Sequence, residues 1–151
     1  MNTPKPLRAI HIESQEYTIE GVSTLLELLG IHYKSFKNNQ RLSLEKILEE
    51  EGEMPDFIIS AEDRVGELGL NWLVKIRAEI SKLLETGELD EAQKPLLILH
   101  SSFNFTKEEI QTIRENDIQP VHRGSSGKSG LHSVMMGYLA KKTQTANTAL
   151  N

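Results

Sequence analysis

The chain contains no cysteine, which excludes a disulfide framework and thiolate metal sites and fits a reducing compartment. No apolar stretch approaches the roughly 18 residues of a membrane span. Lys5 and Arg8 near the N-terminus are not followed by an apolar run of signal-peptide length. A cytoplasmic protein without a membrane partner is therefore expected. Positive charge is in deficit: the formal net charge is −5 and the isoelectric point lies near 5.6. Phosphate binding needs a concentrated basic field, so no dedicated nucleic-acid surface is expected. At 151 residues, 38% of them hydrophobic, the chain is sized for one domain with one core.

What is present is a regular alternation of two hydrophobic periods. Leu7 to Glu13 reads as a first strand, and Ile19, Val22, Leu25, Leu26 and Leu29 mark a first helix that Gly30 stops. Ile31 to Phe36 is a weaker second strand. Ser43 is a helix N-cap ahead of Leu44, Ile47 and Leu48, but Lys46 at the third position forms no capping box. The acidic run Glu49, Glu50, Glu51 is expected to be a solvated helix end. Phe57, Ile58 and Ile59 are continuously apolar, as a strand covered on both faces must be. A long third helix follows from Leu70 to Leu84, with Trp72 on its apolar side. Leu96 to Leu99 is a second buried strand, and Thr106 with Glu109 makes a full capping box for a fourth helix ending near Glu115. Ile118 to Val121 is a short fifth strand. Leu131, Val134, Met135, Tyr138 and Leu139 carry a fifth helix to Lys142. The organisation is a lead of residues 1–6, a domain of 7–142, and a polar tail of 143–151 expected to be disordered or a linker. Five strands alternating with five helices predict an α/β fold of flavodoxin-like order, a five-stranded parallel sheet with helices on both faces.

Pro55 to Arg77, PDFIISAEDRVGELGLNWLVKIR, resembles the third strand, active loop and third helix of response-regulator receiver domains. Pro55, Asp56, Gly66 and Gly69 fall on the family's Pro-Asp pair and loop glycines without a gap; Val65 stands where the turn proline would be. The phospho-accepting aspartate corresponds to Ala61, whose methyl offers no lone pair for phosphoryl transfer. The acidic pair that holds Mg²⁺ corresponds to Glu13 and Ser14, one carboxylate where two are usual. His100 takes the place of the hydroxyl residue, and Arg123, followed by Gly124, that of the lysine before a proline. Ala78 to Lys94 is longer than the family's usual connection. The resemblance thus implies a (βα)5 pseudo-receiver with a degenerate phosphorylation pocket of Glu13, Ser14, Ala61, His100 and Arg123, no enzymatic activity and no cofactor. It implies docking of a protein partner or downstream domain, and a homodimer, through the fourth helix, fifth strand and fifth helix. The surface residues expected there are Lys107, Gln111, Arg114, Val121, Arg123, Tyr138 and Lys142.

Two other readings stay open. The glycine-rich loop from Arg123 to Gly130 ahead of a helix suits small-ligand or nucleotide sensing, although His122 occupies the position where a Walker loop needs its first glycine. Phosphorylation at a displaced carboxylate, Glu62 or Asp63, is the other. His11, His32, His100, His122 and His132 show no i, i+4 pairing for a metal, and His11 is expected to be packed. Ser60 is expected to point away from a pocket that Ala61 faces, which leaves no triad with His100 and Asp63.

Overall fold

A computed structural model of the chain describes residues 6–13, 16–36, 42–61, 69–102, 104–124 and 130–150. Strands β1 (Arg8–Ile12), β2 (His32–Phe36), β3 (Phe57–Ala61), β4 (Leu96–Ser101) and β5 (Ile118–His122) alternate with helices α1 (Glu16–Leu28), α2 (Leu44–Glu51), α3 (Leu70–Thr86), α4 (Lys107–Glu115) and α5 (Leu131–Leu150). All four pairings are parallel, in the order β2-β1-β3-β4-β5. This is the flavodoxin-like arrangement expected from the element order.

Strand alternation divides the core between two layers. Ile10, Ile12, Ile58, Leu97 and Leu99 pack with Leu44, Ile47, Trp72, Leu73, Ile76 and Ile113, on the α2–α3–α4 side. Ala9, Phe57, Ile59, Ile98 and Val121 pack with Val22, Leu26, Leu131 and Met135, on the α1–α5 side. Every residue of β3 is buried, because β1 and β4 flank it and helices cover both faces. Full burial of Phe57, Ile58 and Ile59 is worth roughly 1.5–3 kcal/mol each. By contrast β2 is a half-exposed edge, which is why its apolar signal is weak.

Local chemistry sets the boundaries. Asp56 locks the start of the sheet: its N–H donates to the Arg8 carbonyl, its Oδ2 accepts from the Arg8 N–H, and its carbonyl accepts from the Leu96 N–H, each at 2.9 Å. Ser43 caps α2 through the Lys46 N–H, and the Thr106–Glu109 box caps α4. Gly69 precedes α3 with φ 85°, a conformation that side chains with a Cβ rarely adopt. Trp72 is buried and donates from Nε1 to the Leu42 carbonyl at 2.8 Å. The long α3-to-β4 connection contains Gly87, which closes α3, and a 3-10 turn over Glu91–Gln93 with its own capping box at Asp90.

Two expectations are corrected. The final helix does not stop at Lys142 but continues to Leu150. Thr143 to Leu150 contains no Gly or Pro to break it, and Ala, Gln and Leu extend a started helix at little cost. Nor is the acidic run solvated throughout: Glu51 turns inward to Arg8 at 3.2 Å and Lys34 at 3.4 Å, its side chain only 9% exposed.

At the other edge of the sheet, β5 carries Pro120 in an exposed position. The Arg123 N–H donates inward to Ser101 of the β4 side, so alternate residues 119, 121 and 123 face β4 and Pro120 faces outward. The Gln119 side-chain amide donates to the Pro120 carbonyl at 3.2 Å.

Candidate functional site

The carboxyl ends of the central strands bring four of the five expected pocket residues together; Ser14 lies outside the described residues. Ala61 pairs in register with His100, and His100 with Val121. The ladders continue beyond the strand ends, with the Glu13 N–H donating to Phe36 and the Arg123 N–H to Ser101. Alternation therefore puts Glu13, Ala61, His100 and Arg123 on one face, the α1–α5 side that Ala9, Ile59, Ile98 and Val121 occupy below them.

Arg123 and Glu13 close this edge. Nη2 of Arg123 lies 2.7 and 2.6 Å from the two oxygens of Glu13, with side-chain exposures of 17% and 1%. Strands β1 and β5 are three inter-strand spacings apart, roughly 14 Å. The two side chains span that distance across the ends of β3 and β4, where Ala61 and His100 stand. Ala61 contributes one methyl, 2% exposed, and no charge. An aspartate there would set a second carboxylate beside the arginine.

His11, two residues before Glu13 on β1, joins the same face and is fully buried. Burial holds its imidazole at about 4, and the neighbouring His100 and the Arg123 cation add to the effect. His100 is likewise held at about 4, by burial first, then by Arg123 and His122. Both rings are neutral at physiological pH. His11 was expected to be packed but not counted with the site; the period of two along β1 places it there, two residues from Glu13. His122 is exposed, accepting from the Gly124 N–H at Nδ1 and lying 3.2 Å from the Ser102 carbonyl at Nε2. A neutral ring protonated on Nε2 satisfies both contacts.

Ser60 faces the opposite layer and donates to the Ala61 carbonyl at 3.0 Å, so it does not meet His100. Glu62, Asp63, Val65, Gly66 and residues 125–129 of the glycine-rich loop lie outside the described residues. Gly130 is buried at the start of α5. Beside the ion pair, a cavity of about 580 Å³ opens toward α1, lined by Thr18, Thr24, Leu25, His100, Arg123 and Leu131 among others.

No protein-family model and no curated protein matches the sequence. Solved structures do match. A response-regulator receiver domain protein from Clostridium thermocellum superposes with a TM-score of 0.62 at 12% identity, over 93% of this chain and 98% of that one. The BeF3-activated N-terminal receiver domain of Klebsiella pneumoniae RstA gives 0.60 at 11%, over 89% and 97%. A CheY-like receiver domain from Methylobacillus flagellatus gives 0.56 at 15%, over 88% and 98%. The fold is that of a response-regulator receiver domain. In the receiver fold the carboxyl edge of the sheet is also where open α/β sheets place their ligands, so the Glu13–Arg123 pair occupies the position that the topology reserves for chemistry.

The surface expected to dock partners is only partly available. Lys107, Gln111 and Arg114 are exposed on α4, and Ile110 beside them is 39% exposed. Val121 is not exposed: at 2% it packs into the α1–α5 layer, because alternation on β5 turns it inward. Arg123 is committed to Glu13. Tyr138 donates its hydroxyl to the Lys94 carbonyl at 2.6 Å and sets its ring edge-on to Phe57 at 6.0 Å. Lys142 lies 5.4 Å over the Tyr138 ring and 3.9 Å from Asp56. These two α5 residues therefore pack at the sheet's amino end and leave α4 as the open part of the face. Among the described residues, no helix is long and apolar enough to cross a membrane.

Proposed function

We propose that this domain is a phosphorylation-independent, non-enzymatic signalling module that works by docking a protein partner or a downstream domain. The observation that carries the reading is the ion pair of Arg123 with Glu13 across Ala61. The acceptor position offers a methyl, the carboxylate is occupied by an internal cation, and the cation has no need of a phosphoryl group. A domain so closed keeps one conformation, since only a ligand with different affinities for two states can shift them. Its docking surface is then built in, with Lys107, Ile110, Gln111 and Arg114 of α4 as its core and dimerisation through α4 as one use of it. The test is an amide spectrum recorded with acetyl phosphate or beryllofluoride and Mg²⁺. No saturable shift at Glu13, Ala61 or His100 is expected, and such a shift would overturn the reading. Ala61→Asp should also remain unphosphorylated, because the new carboxylate competes with Glu13 for Arg123.

A second reading rests on the cavity beside His100 and Arg123. Its volume is in the range of small-ligand sites, about 300–1,000 Å³, and neutral imidazole can donate or accept. Stabilisation by a nucleotide in a thermal-shift series, lost in His100→Ala, would favour sensing over constitutive docking.

A further inference from the structure

At the amino end of the sheet, far from the ion pair, lies a second concavity of about 930 Å³ between the α3-to-β4 connection, the start of β5 and α5. Pro95, Leu96 and Val134 give it an apolar lining, and its charged residues are Arg77, Lys94, Lys141 and Lys142 against Glu91 and Asp117. Glu91 and Asp117 are mostly in water, with side-chain exposures of 80% and 76%, and Asp56 lies 3.9 Å from Lys142, so the four cations outnumber the three nearby carboxylates by one and water screens two of those. The groove is thus locally cationic in a chain whose formal net charge is −5.

Arg77 is the most buried of the charged residues that line it. It is 8% exposed, and its Nε and Nη2 donate to the carbonyls of Asn116 and Asp117 at 2.8 Å each. Its Nη1 is buried and has no hydrogen-bond partner among the described residues. Arginine does not lose its charge in proteins, and a buried donor left unpaired costs roughly 1–3 kcal/mol or more. Nη1 is too buried for a ligand to reach, so what Arg77 offers the groove is charge, shared with the exposed Asp117 carboxylate 3.9 Å from its Nη2. Lys94 sits 3.1 Å from Asp117 and 4.0 Å from Glu91. Along α5 the lining runs from Ser133 to Lys142, about 14 Å of helix. An extended chain covers that length in about four residues.

We propose that this groove receives a short acidic and apolar segment of the partner protein, a carboxylate directed to Arg77 and Lys94 and an apolar side chain laid on Pro95, Leu96 and Val134. The assignment rests on the docking function proposed above and names the surface and the chemistry of what docks.

The experiment titrates the isotope-labelled full chain with a blocked peptide of sequence Glu-Leu-Glu-Leu, with Lys-Leu-Lys-Leu, citrate and inorganic phosphate as separate arms. Saturable shifts from the acidic peptide at Leu96, Gln119 and Val134, absent with the basic peptide, are expected. Lys94→Gln with Lys142→Gln should weaken that binding roughly fivefold or more, with an unchanged far-ultraviolet spectrum establishing that the variant is folded. Equal binding of the basic peptide, or groove shifts from citrate or phosphate without the acidic peptide, overturns the proposal in favour of non-specific or small-anion binding. Peptide shifts confined to Lys107, Ile110 and Arg114 overturn the groove while leaving the docking function standing. Absence of any shift overturns the groove alone, since docking through α4 is read separately by its charge-reversal variant.

Discussion

Arg123 and Arg77 sit at opposite ends of the same sheet, and the carboxylates beside them differ in burial, Glu13 being 1% exposed and Asp117 76%. Arg123 meets the buried carboxylate of Glu13, a full opposite charge, so the two charges cancel at the carboxyl edge. Arg77 donates to two backbone carbonyls at the end of α4 and has the Asp117 carboxylate, 76% exposed, 3.9 Å from its Nη2, an opposite charge that water screens. A helix end is negative in its last turn, and Asp117, with φ 51°, turns the chain so that both carbonyls face the guanidinium. One end of the molecule therefore pairs its arginine out of water, and the other pairs its cations with carboxylates that water reaches and screens.

Acid should separate the two ends most strongly. Folding lowers His11 and His100 from an ordinary 6.5 to about 4, so between these values the unfolded chain binds more protons than the folded one. Stability is then complete above pH 6.5 and falls as the pH drops toward 4, by roughly 3 kcal/mol for each histidine. Urea titrations from pH 7 to 4 should show this loss, reduced in His11→Gln. Amide exchange should accelerate first around β1 and β4 at the carboxyl edge. A flat profile across that window would show that the rings are not held neutral.

Next in size is the ion pair itself. Arg123→Gln strands a buried carboxylate and should cost about 3–5 kcal/mol, whereas Glu13→Gln together with Arg123→Met should recover most of the loss, because removing both charges also removes both desolvation costs. Chemical denaturation of the three variants checks the order. Arg77→Met should cost less, about 2–3 kcal/mol, since losing two charge-assisted hydrogen bonds of roughly 1.5–3 kcal/mol each is partly offset by removing the unpaired Nη1 donor. Its effect should appear as faster exchange at Asn116 and Asp117. A loss equal to that of Arg123→Gln would erase the distinction between the two ends. Smallest in stability, within about ±0.5 kcal/mol, is Lys107→Glu with Arg114→Glu on exposed α4. Its expected readout is weaker capture of a partner in a pull-down with the full chain as bait.

The sequence carries the architecture because the strands that define it, Phe57–Ala61 and Leu96–Ser101, are buried on both faces and read as continuous apolar runs. Most of the site's membership was also legible, since Glu13, Ala61, His100 and Arg123 stand at strand ends, although His11 was not counted with them. Three things were not legible. The Glu13–Arg123 bond joins residues 110 apart, and no local period encodes a contact of that range. The burial of Val121 depends on which rungs of β5 face β4, a matter of pairing register rather than of composition. The length of α5 escaped notice for a different reason: its last turns lack an apolar stripe, and helix continuation there follows from propensity and the absence of a stop.

The proline on β5 bears on how copies of this chain can meet. An unprotected outer strand is a template on which a neighbouring backbone can zip, prolonging one sheet into another and, repeated, into fibres. Here the outward rung at Pro120 has no hydrogen to give, and the Gln119 side chain already covers its oxygen. Crowded molecules therefore find no backbone purchase at that rung, the middle one of the strand, which breaks any ladder along this flank and leaves more of the recognition there to side chains, which can discriminate among strangers where a bare strand cannot.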